Sequence, residues 1–283
     1  MQELLLTKKP VDFKKFVKRS AQETDYEQLI NDDVIAIDAE TKEIIFVHTR
    51  LNLDPTLVLQ ALDRIKYEQN TRTHGLKTTS RIFGYNPRNK IRKDFCSSTS
   101  LASESPREHA EVVKYGVKIA ELYSQYTPEA YEKHQTLLKA KVLDEWAIKD
   151  TPFTSGIINK NNPLKYHFDS GNFKNVYSCM VVFKKDIRGG YLSMPEYGVA
   201  VSLPHNSLFM FEGQSVLHGV TPITKISDDA VRYSIVYYSL QQIWNCLPLS
   251  DEIARIRNIK TEREIRRAKG EVHETFNRNS KQG

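Results

Sequence analysis

The stretch Tyr166-His167-Phe168-Asp169-Ser170-Gly171-Asn172, answered farther along by Leu217-His218-Gly219-Val220, decides how this chain is read. Two imidazoles and one carboxylate form a facial donor set that leaves open positions on an iron(II) ion, which a non-haem oxygenase requires. A His-x-Asp pair among eight histidines is weak by itself, so its weight comes from what surrounds it. An extended stretch, Thr154 to Tyr166, leads into the pair, and several strand-like runs separate it from His218.

Downstream stands Arg232-Tyr233-Ser234-Ile235-Val236-Tyr237-Tyr238, a strand by its β-branched and aromatic content. Side chains alternate along a strand, so Arg232, Ser234, Val236 and Tyr238 share one face. A buried arginine needs an anionic partner, because an unpaired charge out of water is very costly. The metal donors and this arginine together therefore predict an oxidising enzyme with an anionic cosubstrate.

Length and composition bound the rest. With 283 residues, 40% of them hydrophobic, the chain can bury one large core. The apolar run Leu4-Leu5-Leu6 is too short for a signal core, its lysines follow it, and nothing reads as a membrane span. Three cysteines, Cys96, Cys179 and Cys246, show no paired spacing. They argue against a disulfide framework or a zinc site and for an intracellular setting, cytoplasmic or nuclear.

The net charge of +6 favours an anionic partner, and its distribution says more. From Thr71 to Lys93 the chain carries Arg72, Lys77, Arg81, Arg88, Lys90, Arg92 and Lys93 with no acid among them, interleaved with Phe83 and Tyr85. Such a run suits phosphate contacts, with rings available for bases, and Arg81 and Arg88 are its candidate DNA contacts. A second basic segment, Arg255 to Lys269, is interrupted by Glu262 and Glu264 and reads equally as a solvated helix face.

Periodicity predicts helices over Val11 to Gln28, Pro55 to Glu68, Pro106 to Gln125 and Pro128 to Trp146, with a hairpin of residues 34–37 and 44–47 between the first two. Cys96 to Ser105 reads as a connecting loop. From Phe153 onward the texture changes to short runs punctuated by Gly189-Gly190, Pro195, Pro204 and Gly213, which predicts an antiparallel sandwich or barrel. Helices before and sheets after make the expected class α+β, with a mainly helical N-terminal half packed on the β core. The expected boundaries are 1–150, 151–248 for the core, and 249–283 for a basic helix and polar tail.

Between Thr154 and Leu240 the chain resembles the double-stranded β-helix (jelly-roll, cupin-like) core of iron(II) and 2-oxoglutarate-dependent dioxygenases, in particular the TET and J-binding protein branch. The resemblance rests on His167-Phe168-Asp169-Ser170-Gly171-Asn172, on Leu192-Ser193-Met194-Pro195-Glu196-Tyr197-Gly198 after Gly189-Gly190, on His218-Gly219-Val220-Thr221-Pro222 and on Arg232-Tyr233-Ser234. It implies Fe(II) on His167, Asp169 and His218, with 2-oxoglutarate and dioxygen as cosubstrates. Arg232 would pair with the distal carboxylate of 2-oxoglutarate, helped by Ser234. Asn172 would hydrogen-bond a target base and Tyr238 would pack against it.

The implied reaction is oxidation of the 5-methyl group of a pyrimidine in DNA, on a base flipped from the duplex. Animal TET enzymes place a base-contacting histidine where this chain has Leu240, so 5-methylcytosine and thymine both remain open. Two alternatives stand beside this expectation: a 2-oxoglutarate-dependent hydroxylase of protein side chains or free nucleotides, and a non-catalytic DNA-binding module.

Overall fold

The computed structural model describes residues 1–71, 77–88 and 94–270. In chain order its regular elements begin with β1 (Gln2–Leu6), α1 (Phe13–Phe16), β2 (Gln28–Ile30), β3 (Val34–Asp38), β4 (Ile44–Arg50), α2 (Thr56–Arg64), β5 (Glu68–Thr71), β6 (Lys77–Asn86) and β7 (Ser97–Ser98). Helices α3 (Ser100–Glu104), α4 (Pro106–Tyr126) and α5 (Pro128–Lys141) follow. The remainder comprises β8 (Ser155–Lys160), β9 (Ser178–Lys185), β10 (Ile187–Gly189), β11 (Leu192–Met194), β12 (Val199–Val201), β13 (Ser207–Phe211), β14 (Gly219–Val220), β15 (Ile223–Lys225), β16 (Val231–Tyr238) and α6 (Leu249–Ala268).

A ten-stranded sheet runs β1-β3-β4-β13-β9-β16-β8-β6-β5, with β7 beside β6. A smaller sheet, β14-β11-β12-β2, supplies the second layer, and β10 pairs with β15. Only β1 on β3 and β2 on β12 are parallel among the described pairings.

Alternation assigns the two faces of the large sheet. Cys179, Val181 and Phe183 of β9 and Tyr233, Ile235 and Tyr237 of β16 pack against Val58 and Leu62 of α2 and Val112, Ile119 and Tyr123 of α4. Met180, Val182, Phe209 and Phe211 face the other way, onto Leu192, Met194, Val199 and Val220 of the small sheet. Each such side chain removed from water contributes roughly 1.5–3 kcal/mol, enough to pin the register of every strand that carries two or three.

Local chemistry sets the element ends. Asp54 Oδ1 accepts from the backbone N–H of Thr56, 3.0 Å away, and opens α2. Asp38 Oδ1 accepts from the N–H groups of Glu40 and Thr41, which turns β3 into β4 as the expected hairpin. Helices α4 and α5 begin at Pro106 and Pro128, where proline's missing N–H costs nothing.

The first half is not mainly helical, contrary to expectation, because its described residues up to 100 already include seven strands. The helix expected over Val11 to Gln28 shrinks to α1 and a 3-10 turn at Glu23–Asp25, and its end becomes β2. Phe16 packs edge-on against Tyr166 and the exposed Phe13 against Phe168, and Lys18 adopts a left-handed φ of 72°, which no helix accommodates. Part of the loop expected over Cys96 to Ser105 is ordered as β7 and α3.

Cys96 and Cys246 form a disulfide, which runs against the expectation of no disulfide framework. The two lie 150 residues apart in sequence, so spacing gave no sign of it. Cys179 is buried and free. No helix among the described residues is long and apolar enough to cross a membrane.

Candidate metal centre

The expected donors meet. His167 and His218 pair across two short extended segments through reciprocal backbone hydrogen bonds, His167 N–H to His218 O at 2.9 Å and His218 N–H to His167 O at 3.1 Å. Asp169 is anchored by its own N–H, which donates to Gly213 O at 2.8 Å. As a result, Asp169 Oδ1 lies 3.5 Å from His167 Nε2 and 3.8 Å from His218 Nε2. One ligand atom from each of the three residues falls within 4.8 Å of the others, a spacing one ion can span.

Both rings are oriented for metal binding by their other nitrogen. His167 Nδ1 lies 2.7 Å from Lys165 O and His218 Nδ1 lies 2.9 Å from Val216 O. A carbonyl can only accept, so each Nδ1 carries the proton and each Nε2 offers its lone pair. Burial, with His167 alongside, lowers His218 to about 4, which keeps that imidazole neutral at physiological pH. His167 and Asp169 remain partly accessible while His218 is enclosed, so the donor set opens to one side.

Arg232 lies on the same interior face as Val236, which packs in the layer between the sheets. It is 1% exposed, and its Nε and Nη2 have no hydrogen-bond partner among the described residues. Burial lowers it only to about 10, so it stays charged. Gly190 makes room for it, since a Cβ there would lie 3.0 Å from Arg232 Cδ. Ser234, also buried, accepts from Asn159 Nδ2 at 3.4 Å.

Asn172 Nδ2 donates to Ser178 Oγ at 3.1 Å, and the Asn172 carbonyl accepts from the side-chain amides of Gln214 and Gln241. Asn172 also faces Leu240 in an isolated antiparallel bridge. Tyr238 ends β16 opposite Ser155, several residues beyond Arg232 and on its face.

Two arginines of the basic run are paired within the chain. Arg81 is 5% exposed and forms ion pairs with Glu68 and Glu104, and Arg88 donates through Nε and Nη2 to Glu252 Oε1. Both guanidinium groups answer carboxylates of this chain instead of standing ready for phosphates. Their partners lie outside the run, Glu68 just before it and Glu104 and Glu252 beyond it. Arg72, Lys90, Arg92, Lys93 and the side chain of Lys77 lie outside the described residues. In the second segment, Arg255 pairs with Asp94 at 2.5 Å, and the rest of α6 beyond Lys260 is exposed.

Residues 80–241 match the Tet_JBP family, the oxygenase domain of the 2OGFeDO superfamily. The chain belongs to this family. The Tet_JBP match encloses the donors, Arg232 and Ser234, and ends just beyond Leu240.

Among its curated relatives, the bifunctional helicase and thymine dioxygenase JBP2 of Trypanosoma brucei brucei is 23% identical over 250 residues, which cover 86% of this chain and 23% of that protein. Thymine dioxygenase JBP1 of Trypanosoma brucei brucei is 26% identical over 145 residues, covering 50% of this chain and 17% of JBP1. The chain thus spans about a fifth of the length of these relatives. The solved complex of NgTET1 with 5mC DNA superposes with a TM-score of 0.58 at 14% identity, covering 82% of this chain and 87% of NgTET1, which shows a shared fold.

Two features of this Tet_JBP domain escaped the sequence reading. Gly213 touches Asp169, and Lys184 stands opposite Arg232 across β9 and β16. Lys184 carried a signal, because it breaks an apolar alternation on the interior face of β9. Gly213 carried none.

Proposed function

We propose that this Tet_JBP domain oxidises the 5-methyl group of a pyrimidine in DNA, with Fe(II) and 2-oxoglutarate held in a double-stranded β-helix core. The observation that carries the reading is Arg232: a buried cation with two donors unpartnered among the described residues, on the interior sheet face where Phe211 packs against the His218 ring. A guanidinium receives a carboxylate through two parallel hydrogen bonds, so a dicarboxylate cosubstrate fits this gap. Iron(II) with 2-oxoglutarate and dioxygen would supply the power to replace a methyl C–H by C–OH, releasing succinate and carbon dioxide.

The chain's own residues do the positioning. His167 and His218 would bind iron through Nε2 while Lys165 O and Val216 O hold their rings, and Asp169 would complete the set. Arg232 would take the distal carboxylate with Ser234 as a second donor. Asn172, its Nδ2 engaged by Ser178, would offer Oδ1 as an acceptor to a base flipped out of the duplex. Tyr238 would pack against that base. JBP1 and JBP2 are named thymine dioxygenases and NgTET1 is seen with 5mC DNA, and Leu240 adds no polar group to choose between the two bases.

The test is incubation of iron-loaded protein with DNA carrying thymine and 5-methylcytosine, plus 2-oxoglutarate and oxygen, followed by nucleoside mass spectrometry. Hydroxymethyl pyrimidine is the expected product, and Asp169→Ala should abolish it while leaving DNA binding nearly intact. Succinate release without any modified nucleoside would overturn the DNA substrate and leave the oxygenase standing.

A second reading, hydroxylation of a free nucleotide or protein side chain, has no need of a basic DNA-contacting run, and the internal ion pairs of Arg81 and Arg88 fit it. Succinate yields with DNA, nucleotide and peptide pools separate the two. The full donor set speaks against a purely non-catalytic module.

A further inference from the structure

We infer, resting on the oxygenase reading above, that Lys184 is a second cation of the cosubstrate subsite and shares with Arg232 the distal carboxylate of a dicarboxylic 2-oxo acid. Along β9, Cys179, Val181 and Phe183 face the helices while Met180 and Val182 face the small sheet. Lys184 continues the second set, so it points into the interior that holds Arg232. The two are direct partners in the β9–β16 register. Directly opposed residues of antiparallel strands hold their Cβ atoms about 4.5–5.5 Å apart, within reach of one ligand.

The surroundings show what this pair lacks. Lys184 Nζ donates to Gly189 O at 3.0 Å and Ser202 O at 2.6 Å and lies 5.4 Å from the centre of the Tyr191 ring. An ammonium has three N–H groups, so one is left over. Neither Lys184 nor Arg232 forms an ion pair with a carboxylate among the described residues. Burial, with Arg232 adding its repulsion, brings Lys184 down to about 7.

Beside the charged Arg232, Lys184 gives up its proton readily, and an anion set between the two would favour its charged form again. A carboxylate has enough lone pairs for a guanidinium on one side and an ammonium on the other. Arg232 alone would accept such a carboxylate, whereas the pair discriminates strongly against 2-oxo acids that end in a methyl group.

Calorimetry tests this with glutarate on the metal-free protein and with 2-oxoglutarate and pyruvate on the iron(II)-loaded protein without oxygen. Lys184→Met should weaken glutarate and 2-oxoglutarate at least tenfold and leave pyruvate unchanged, while Lys184→Arg should retain most of the preference. Glutarate binding within twofold of the unmodified protein in Lys184→Met would reduce Lys184 to a clamp on Gly189 and Ser202. If that variant fails to fold, the Lys184 Nζ resonance of the unmodified protein decides, since it should shift on glutarate addition and its constancy would overturn the role. Failure of the unmodified, iron-loaded protein to bind 2-oxoglutarate would instead overturn the oxygenase reading itself.

Discussion

Gly213 touches the carboxylate of Asp169: a Cβ on residue 213 would lie 2.2 Å from Asp169 Oδ2, a separation no pair of such atoms tolerates. The same glycine accepts the Asp169 N–H through its carbonyl. Gly213→Ala should therefore push the carboxylate off the two imidazoles while sparing the rest of the fold. Outer partners of metal ligands typically affect affinity by about 10–100-fold, and a loss of that order is expected in iron(II) or cobalt(II) titrations. Unchanged metal affinity with native circular dichroism would show that Asp169 does not depend on this contact.

Gly190 plays the corresponding part for Arg232. Its φ of +65° is unfavourable for any residue with a side chain, and a Cβ there would come 3.0 Å from Arg232 Cδ and 3.1 Å from Nε. Gly190→Ala should raise the KM for 2-oxoglutarate well above tenfold with a smaller change in kcat. An equal fall in kcat with KM constant would place the damage elsewhere.

Glu252 joins α6 to the core. It is 0% exposed and accepts from Arg88 Nε and Nη2, Cys96 N–H and Leu247 N–H. Burial pushes its carboxyl up, but the hydrogen bonds from Leu247, Arg88 and Cys96 outweigh it and hold the group below its ordinary 4.5. The folded state thus holds this proton less tightly than the unfolded chain does. The stability gained is complete above pH 4.5 and is lost as the pH falls through the lower, folded value. Glu252→Gln should flatten this part of the acid-unfolding curve and, by leaving Arg88 without its partner, cost on the order of 3 kcal/mol at neutral pH in denaturant titrations.

The Cys96–Cys246 bridge closes a loop between positions 150 residues apart, next to the Glu252 cluster. Chain entropy alone would make so long a closure worth about 4–5 kcal/mol, and measured effects typically reach ~2–4 kcal/mol. Dithiothreitol should lower the melting temperature of the native protein and leave a Cys96→Ser, Cys246→Ser double variant unaffected. A melting temperature insensitive to reductant in both proteins would show that the bridge does not form.

The β9, β13 and β16 strands could be read directly from sequence because their runs of β-branched, aromatic and other apolar residues are local, and so could α4 and α5, whose prolines and apolar spacing mark both start and face. The segment from Val11 to Gln28 was not legible, because its aromatic residues are satisfied by Phe168 and Tyr166, far along the chain. The ion pairs of Arg81 and Arg88 were not legible either: a charge run shows its own members, never the carboxylates of Glu68, Glu104 and Glu252 that fold against it.

What the sequence offered by itself was the candidate donors His167, Asp169 and His218, from residue type, and Arg232 with Ser234 on one strand face, from a period of two. Only the tertiary structure decided the distances within that donor set, the Nδ1 bonds that orient both imidazoles, the closeness of Gly213 to Asp169, and the meeting of Lys184 with Arg232. Apart from the Nδ1 bonds, which reach carbonyls two residues back, these are contacts between segments tens of residues apart. Burial between two sheets fixes them, and no local pattern records which strand will lie beside which.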